Sequence, residues 1–205
     1  MTPHVILASA SPARRALLLR AGITPEIIVS GIDEETPELL AMSPTELAYE
    51  LALRKGSAIA HGRTDGFIIA CDSVFELNGI PYGKPGTSQV AKERLQQMSG
   101  RTGTLHTGHA LINISSGHVE RALTSTDVTI VEMSEAEIDA YIATGEPLQV
   151  AGAFTIDSLG GPLVAGISGD PSNVEGLSLP TLRELFARFG VGWETFLTQH
   201  SERAV

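Results

Sequence analysis

At 205 residues, 42% hydrophobic and 19% charged, the chain can bury a core without disulfides or metal staples, and it is too apolar for a disordered or coiled-coil protein. Fourteen Lys and Arg against 24 Asp and Glu give a net charge of −10, which excludes a nucleic-acid polymer as partner but leaves room for one small anion wherever cations gather locally. One cysteine, Cys71, excludes an internal disulfide and a cysteine zinc site; no apolar run reaches the roughly 20 residues that span a bilayer, and Met1-Thr2-Pro3-His4 lacks a basic leader, so a cytoplasmic protein without membrane contact is expected.

In chain order, His4 to Ala8 predicts a short buried strand. Ser11-Pro12 then supplies an N-cap and a proline at the first helical position, opening a helix to about Ala21. Glu26 to Ser30 predicts a second short strand, and Ser43-Pro44-Thr45-Glu46 is a capping box that starts a helix ending near Ala60. Phe67 to Phe75 is a β-rich apolar run broken by Asp72 and Ser73, with Asn78-Gly79 marking a hairpin turn behind it. Thr87 to Met98 has a helical pattern. Strands follow at about Thr104 to Asn113 and Val119 to Glu132, joined at Ser115-Ser116-Gly117. Ser134 to Glu137 opens another capped helix that stops before Gly145 and Pro147. After a Gly-rich stretch from Ala151 to Gly169, Leu179 to Phe189 and Trp193 to His200 read as the last helices. Strands and helices mix without strict alternation and no linker divides the chain, so one domain over 1–205 of the α/β or α+β class is expected.

Several segments could carry chemistry. Ala8-Ser9-Ala10-Ser11-Pro12-Ala13-Arg14-Arg15 runs from a strand through small residues into a helix start with two arginines, which suits phosphate as well as it suits a capped surface helix. Lys55 falls in the apolar row Leu47, Leu51, Lys55, Ile59, so it either meets an anion or snorkels along a core edge. Asp72 interrupts an apolar strand at what the pattern places as its carboxyl end. A carboxylate there needs a cation, a metal or donors, although local turn bonds would also serve. Gly83-Lys84-Pro85-Gly86 puts a third cation on a short loop that does not have Walker A spacing. Gly31-Ile32-Asp33-Glu34-Glu35 offers carboxylates suited to a hard divalent metal or simply to water. His106 and His109, three apart on a strand, should face opposite sides and serve structure rather than a shared metal.

As an ordered set, these segments resemble the Maf family of nucleoside triphosphate pyrophosphatases, also discussed as septum-formation inhibitors. The resemblance runs over nearly the whole chain. It is carried by Leu7-Ala8-Ser9-Ala10-Ser11-Pro12 with Arg14, Gly31-Ile32-Asp33-Glu34, Lys55, Asp72-Ser73-Val74, Gly83-Lys84-Pro85, Ser99-Gly100-Arg101, and Gly145-Glu146-Pro147 leading to Ala151-Gly152-Ala153-Phe154. It implies an elongated α/β fold with a mixed sheet flanked by helices and two lobes around a central cleft, similar to inosine triphosphate pyrophosphatases. It also implies hydrolysis of a nucleoside triphosphate to monophosphate and pyrophosphate with a divalent cation, magnesium or manganese. By position, Asp72 matches the proton acceptor; Ser9, Arg14, Lys55 and Lys84 match substrate-binding residues, and Glu34 with Asp72 the metal-binding pair. Ala13, Ser73, Asp157 and Val150 depart from the family's usual residues where the base is selected, so the reaction class is expected and the preferred base is not. Housecleaning of noncanonical nucleotides is the family-level expectation, and a homodimer is compatible with it. The rival from another class is a nucleotide-binding regulator of septum formation without turnover. The absent P-loop disfavours a kinase, and a phosphatase would release diphosphate instead.

Overall fold

The computed structural model describes residues 3–197. Its first strand, β1 (Val5–Leu7), is buried along its whole length because parallel strands cover both edges: β2 (Glu26–Ile27) on one and β3 (Phe67–Leu77) on the other. The β3 hairpin turns at Asn78-Gly79, both with positive φ as a type I′ turn requires, into β4 (Ile80–Tyr82). Antiparallel β5 (Thr102–Asn113), β6 (Val119–Ile130) and β7 (Val164–Ser168) complete a mixed seven-stranded sheet of order β2-β1-β3-β5-β6-β7, with β4 paired to the free edge of β3.

The helices begin where the chain supplies caps. α1 (Pro12–Arg20) is capped by Ser11 Oγ, and α3 (Pro44–Ala60) and α5 (Glu135–Ala143) carry complete capping boxes from Ser43 with Glu46 and from Ser134 with Glu137. α4 (Ser88–Met98) is capped by Thr87, and α7 (Leu179–Arg188) by Ser178. Two one-turn helices, α2 (Pro37–Leu40) and α6 (Pro171–Val174), are too short to leave a periodic trace in the sequence and were not expected; neither was β7, hidden in the Gly-rich stretch. The second predicted strand shrinks to two residues. Of the last predicted helix, 194–197 are helical and 198–200 lie outside the described residues.

In the first half of the sheet, α1 and α7 cover one face with Leu17, Leu18, Leu182 and Phe186 over Phe67, Ile69 and Leu111. α3 covers the other with Ala52 and Ile59 over Ile68, Ala70, Ala110 and Ile112. The second half has its own core, where Met98 and Phe154 close over Phe75, Leu77, Leu105, Val128 and Ile130. β3, β5 and β6 run unbroken through both halves. Asp72 is therefore not at a strand end: β3 continues to Leu77 because β5 pairs with it from Phe67 to Glu76, which leaves Asp72 in mid-strand.

α3 sits unusually close to the sheet. A Cβ on Gly108, which pairs with Asp72 in the β3–β5 register, would lie 2.1 Å from the Ala48 carbonyl oxygen and 2.7 Å from Tyr49 Cα. Further along the helix, a Cβ on Gly56 would lie 2.8 Å from Ile112 Cδ1. These two seats are about 12 Å apart on the helix axis and fix its height where Lys55 leaves it. Gly108→Ala should cost about 1–3 kcal/mol, because a helix backbone cannot swing aside as a side chain can. An unchanged urea midpoint in that variant would show that the helix is not seated there.

Candidate active site

The site occupies a gap in one edge of the sheet. On that edge β3 pairs with β1 at Phe67–Ile69 and with β4 at Phe75–Leu77. Between Ile69 and Phe75 no strand pairs with it, over roughly 20 Å at ordinary strand rise. Ser9 lies two residues beyond the end of β1 and Lys84 two beyond the end of β4, so the two loops flank this notch from opposite ends. Asp72 and Ser73 occupy its middle and point to opposite faces of the sheet.

On the α3 face, the Lys55 ammonium lies 2.5 Å from Asp72 Oδ1 and 2.9 Å from Glu34 Oε1. Lys55 and Asp72 are both buried, whereas the Glu34 side chain is 42% exposed. Within the acidic loop, Asp33 Oδ1 accepts from the Glu35 amide, a local turn that leaves Glu34 to reach the lysine. Of the two sequence readings of Lys55, an anion rather than a snorkelling path explains its place in the apolar row. Burial raises the Asp72 pKa; the charges of Lys55 and then Arg14 work against that rise, and Glu34 adds to it.

On the other face, Arg14 is buried at 9% exposure and wholly engaged with neutral oxygens. Its Nε donates to Gly176 O at 2.7 Å, Nη1 to Cys71 O at 2.9 Å and Ser9 Oγ at 3.2 Å, and Nη2 to Ser73 Oγ at 3.0 Å. Among the described residues no carboxylate forms an ion pair with it. A buried guanidinium without a counter-ion puts positive potential into the notch. The α1 N-terminus itself adds little: Pro12 has no amide proton, Arg14 N donates to Ser11 Oγ and Arg15 N to Ser11 O. Of the helix-end amides expected to help hold an anion there, proline deletes one and the cap engages another. Arg15 is exposed, as the solvated-arginine reading has it.

The remaining candidates are more scattered. Ala13 adjoins Arg14 in the first turn of α1. The Ser73 hydroxyl is already tied to Arg14 and, at 2.9 Å, to Thr107 Oγ1. Lys84 is exposed, and no hydrogen bond or ion pair joins it to the acidic pair. Asp157 lies exposed on the loop between Thr155 and Gly160, also without contact to that pair. What holds this loop is Glu146, which had been noted only as part of a motif. Its carboxylate accepts from Tyr141 Oη at 3.0 Å, Thr155 Oγ1 at 2.6 Å and the Leu159 and Gly160 amides at 3.2 and 2.9 Å. Burial works to raise its pKa, but these donors override it and bring the group down to about 2. An acidic residue between Gly145 and Pro147, at the start of a short 3-10 turn (Glu146–Gln149), was the available signal.

His106 and His109 face opposite sides, as their spacing requires. His106 bridges Glu76 at 3.0 Å and Ser125 at 2.8 Å, while His109 Nε2 accepts from the Ser178 amide at 2.9 Å and so anchors the start of α7. Among the described residues no group of three His, Cys, Asp or Glu side chains is placed to hold a metal. The buried Cys71 thiol is pushed up to about 12 by desolvation and stays protonated. No helix among the described residues is long and apolar enough to cross a membrane.

Fold and site together define a mixed α/β protein with a charged, sheet-edge cleft. Residues 4–189 match the family described as Maf-like protein, and the chain belongs to that family. It is 48% identical to a protein of Streptomyces coelicolor named nucleoside triphosphate pyrophosphatase, over 94% of this chain and 95% of the relative. Proteins of the same name from Salinispora tropica and Synechococcus elongatus are 47% and 49% identical, over 92% and 90% of this chain and 84% and 92% of theirs.

Burial, assisted by the charge of Arg14, lowers the His109 pKa from 6.5 to about 4. The folded state holds it neutral, so its contribution to stability is complete above pH 6.5 and is lost as pH falls towards about 4, where the unfolded chain binds the extra proton. His109→Gln keeps an acceptor for Ser178 and removes the titration, so its melting temperature should fall less than that of the parent between pH 7 and pH 4.5. Parallel curves for the two proteins would show that His109 does not titrate in this range.

Proposed function

We propose that this chain is an enzyme that hydrolyses nucleoside triphosphates to nucleoside monophosphate and pyrophosphate, with the reacting phosphates held in the β3 notch. Membership of the Maf-like family and the names of its relatives support this reaction class. The observation that carries the site is Asp72: a buried carboxylate with a raised pKa, one ammonium 2.5 Å away and an uncompensated guanidinium behind it. Binding an anion would need only the cations. A carboxylate held basic among them is suited to taking a proton from water as it attacks the α-phosphorus, which favours turnover over a purely regulatory role.

Arg14, with Ser9 at its guanidinium, would offset charge on the triphosphate from below the sheet, and Lys55 from the α3 side. Lys84 would meet the phosphates from the far end of the notch. Glu34 and Asp72 present hard oxygens towards one point, at present taken by the Lys55 ammonium, and these two carboxylates would be the residues to hold a magnesium or manganese ion. Such an ion supplies Lewis-acid polarisation of the phosphoryl oxygens when bound. Ala13, Ser73 and Asp157 would bear on the choice of base, Ser73 through its hold on Arg14 and Thr107 more than by direct contact. The chain would act as one domain in the cytoplasm on a free nucleotide.

Asp72→Asn should fold and lose about 10²–10⁴-fold in turnover. The assay is release of pyrophosphate and monophosphate from a panel of normal and modified triphosphates with and without magnesium; full activity in the variant would remove Asp72 from its role. Activity needs Asp72 ionised, so the acid limb of kcat/KM should lie above the ordinary carboxylate range. Removing the positive partner in Lys55→Met should move that limb to higher pH. A limb that stays in place would show that the lysine does not govern the carboxylate.

A further inference from the structure

We infer that Arg94 on α4 is a positioning residue for Lys84, holding the loop that carries this lysine at the edge of the notch. The inference rests on the assignment of Lys84 to the triphosphate.

An exposed lysine on a short loop has a large conformational freedom to lose before it meets a phosphate, and affinity depends on how much of that loss the fold has already absorbed. The loop Gly83-Lys84-Pro85-Gly86 is held on both sides of the lysine. Arg94 Nη1 donates to the Gly83 carbonyl, and the Gly86 amide donates to Leu148 O at 3.0 Å, while Pro85 is buried. The Arg94 guanidinium also lies 5.5 Å from the ring centroid of Tyr82, the last residue of β4, whose hydroxyl is bonded to Gln97 on the next turn of α4. α4 thus grips β4 through Arg94 and Gln97, and the loop behind it through Arg94.

Arg94 has no competing duty. Among the described residues neither Arg94 nor Lys84 forms an ion pair, in a chain where Arg20, Arg54, Lys55, Arg63, Lys92, Arg121 and Arg188 all do. No acidic side chain among the described residues therefore draws the Arg94 guanidinium away from the Gly83 carbonyl. Arg94 is half-buried, its guanidinium held between the Gly83 carbonyl and the Tyr82 ring. A shorter side chain at this position would free the Gly83 peptide and let Lys84 sample positions away from the phosphates.

The test is a double-mutant cycle on pyrophosphate release, using Arg94→Ala, Lys84→Ala and the double variant, with melting temperatures recorded for all. Arg94→Ala should raise KM for the metal–nucleotide about tenfold and leave kcat within about threefold, because a charge present before and during reaction is being held less well. In the Lys84→Ala background the same change should have almost no further effect, since the residue through which Arg94 acts is gone. Multiplying effects in the double variant would overturn the inference by showing that Arg94 meets substrate itself or supports the fold generally, and an unchanged KM in Arg94→Ala would overturn it outright. If the parent protein released no pyrophosphate, or if Lys84→Ala alone left KM unmoved, the site assignment would fail and take this inference with it.

Discussion

A carboxylate in the middle of a buried strand is tolerable only if a cation is brought to it, and the contact between Lys55 and Asp72 is the interaction on which the rest of this site depends. Much of the surrounding architecture serves it. Gly108 opposite Asp72 and Gly56 beside Lys55 let α3 press onto the sheet, and the Asx turn at Asp33 frees Glu34 to satisfy the lysine's second side. The balance remains imperfect, since Asp72 keeps a raised pKa. That residual discomfort would suit the proton-accepting role proposed for this group.

Around this pair the sheet supplies an opening rather than a pocket. β1 ends early and β4 begins late along the same edge of β3, and Arg14 uses the space to reach the Cys71 carbonyl from the opposite face. In a molecule of net charge −10, the cations without acidic partners at this notch, Arg14 and Lys84, mark the place where an anionic ligand would be welcome. Glu146 plays a comparable part at one remove. By collecting four donors it holds the 155–160 loop in one shape, so that an exposed residue such as Asp157 is presented from a fixed support.

What the sequence made legible followed from local rules. Capping boxes at Ser43 and Ser134, the Asn78-Gly79 turn and the alternation that separates His106 from His109 are all decided within a few residues, and all stand as expected. Lys55 and Asp72 stood out because each breaks an apolar pattern, and the structure brings them together. Asp72 was misplaced at a strand end because its pairing partner, β5, lies more than thirty residues away, and no local signal announces a long antiparallel partner. The same limit hid Gly108, whose meaning depends on a helix seated across it, and β7, whose residues look like loop until β6 is beside them. At α1 the proline that signals the helix start also deletes one of the amide donors.

The three long strands that cross the whole sheet have a consequence for how such a protein can diversify. Bending one half of the sheet sharply against the other would strain the β3–β5 and β5–β6 ladders together, so the frame acts as a stiff chassis. Under the proposed function, adaptation to a new nucleobase would fall to the loops fastened to that chassis, one substitution at a time, while the proposed phosphate-handling centre stays in register. The proposed chemistry and the proposed recognition would in this way be housed in parts that can be altered independently.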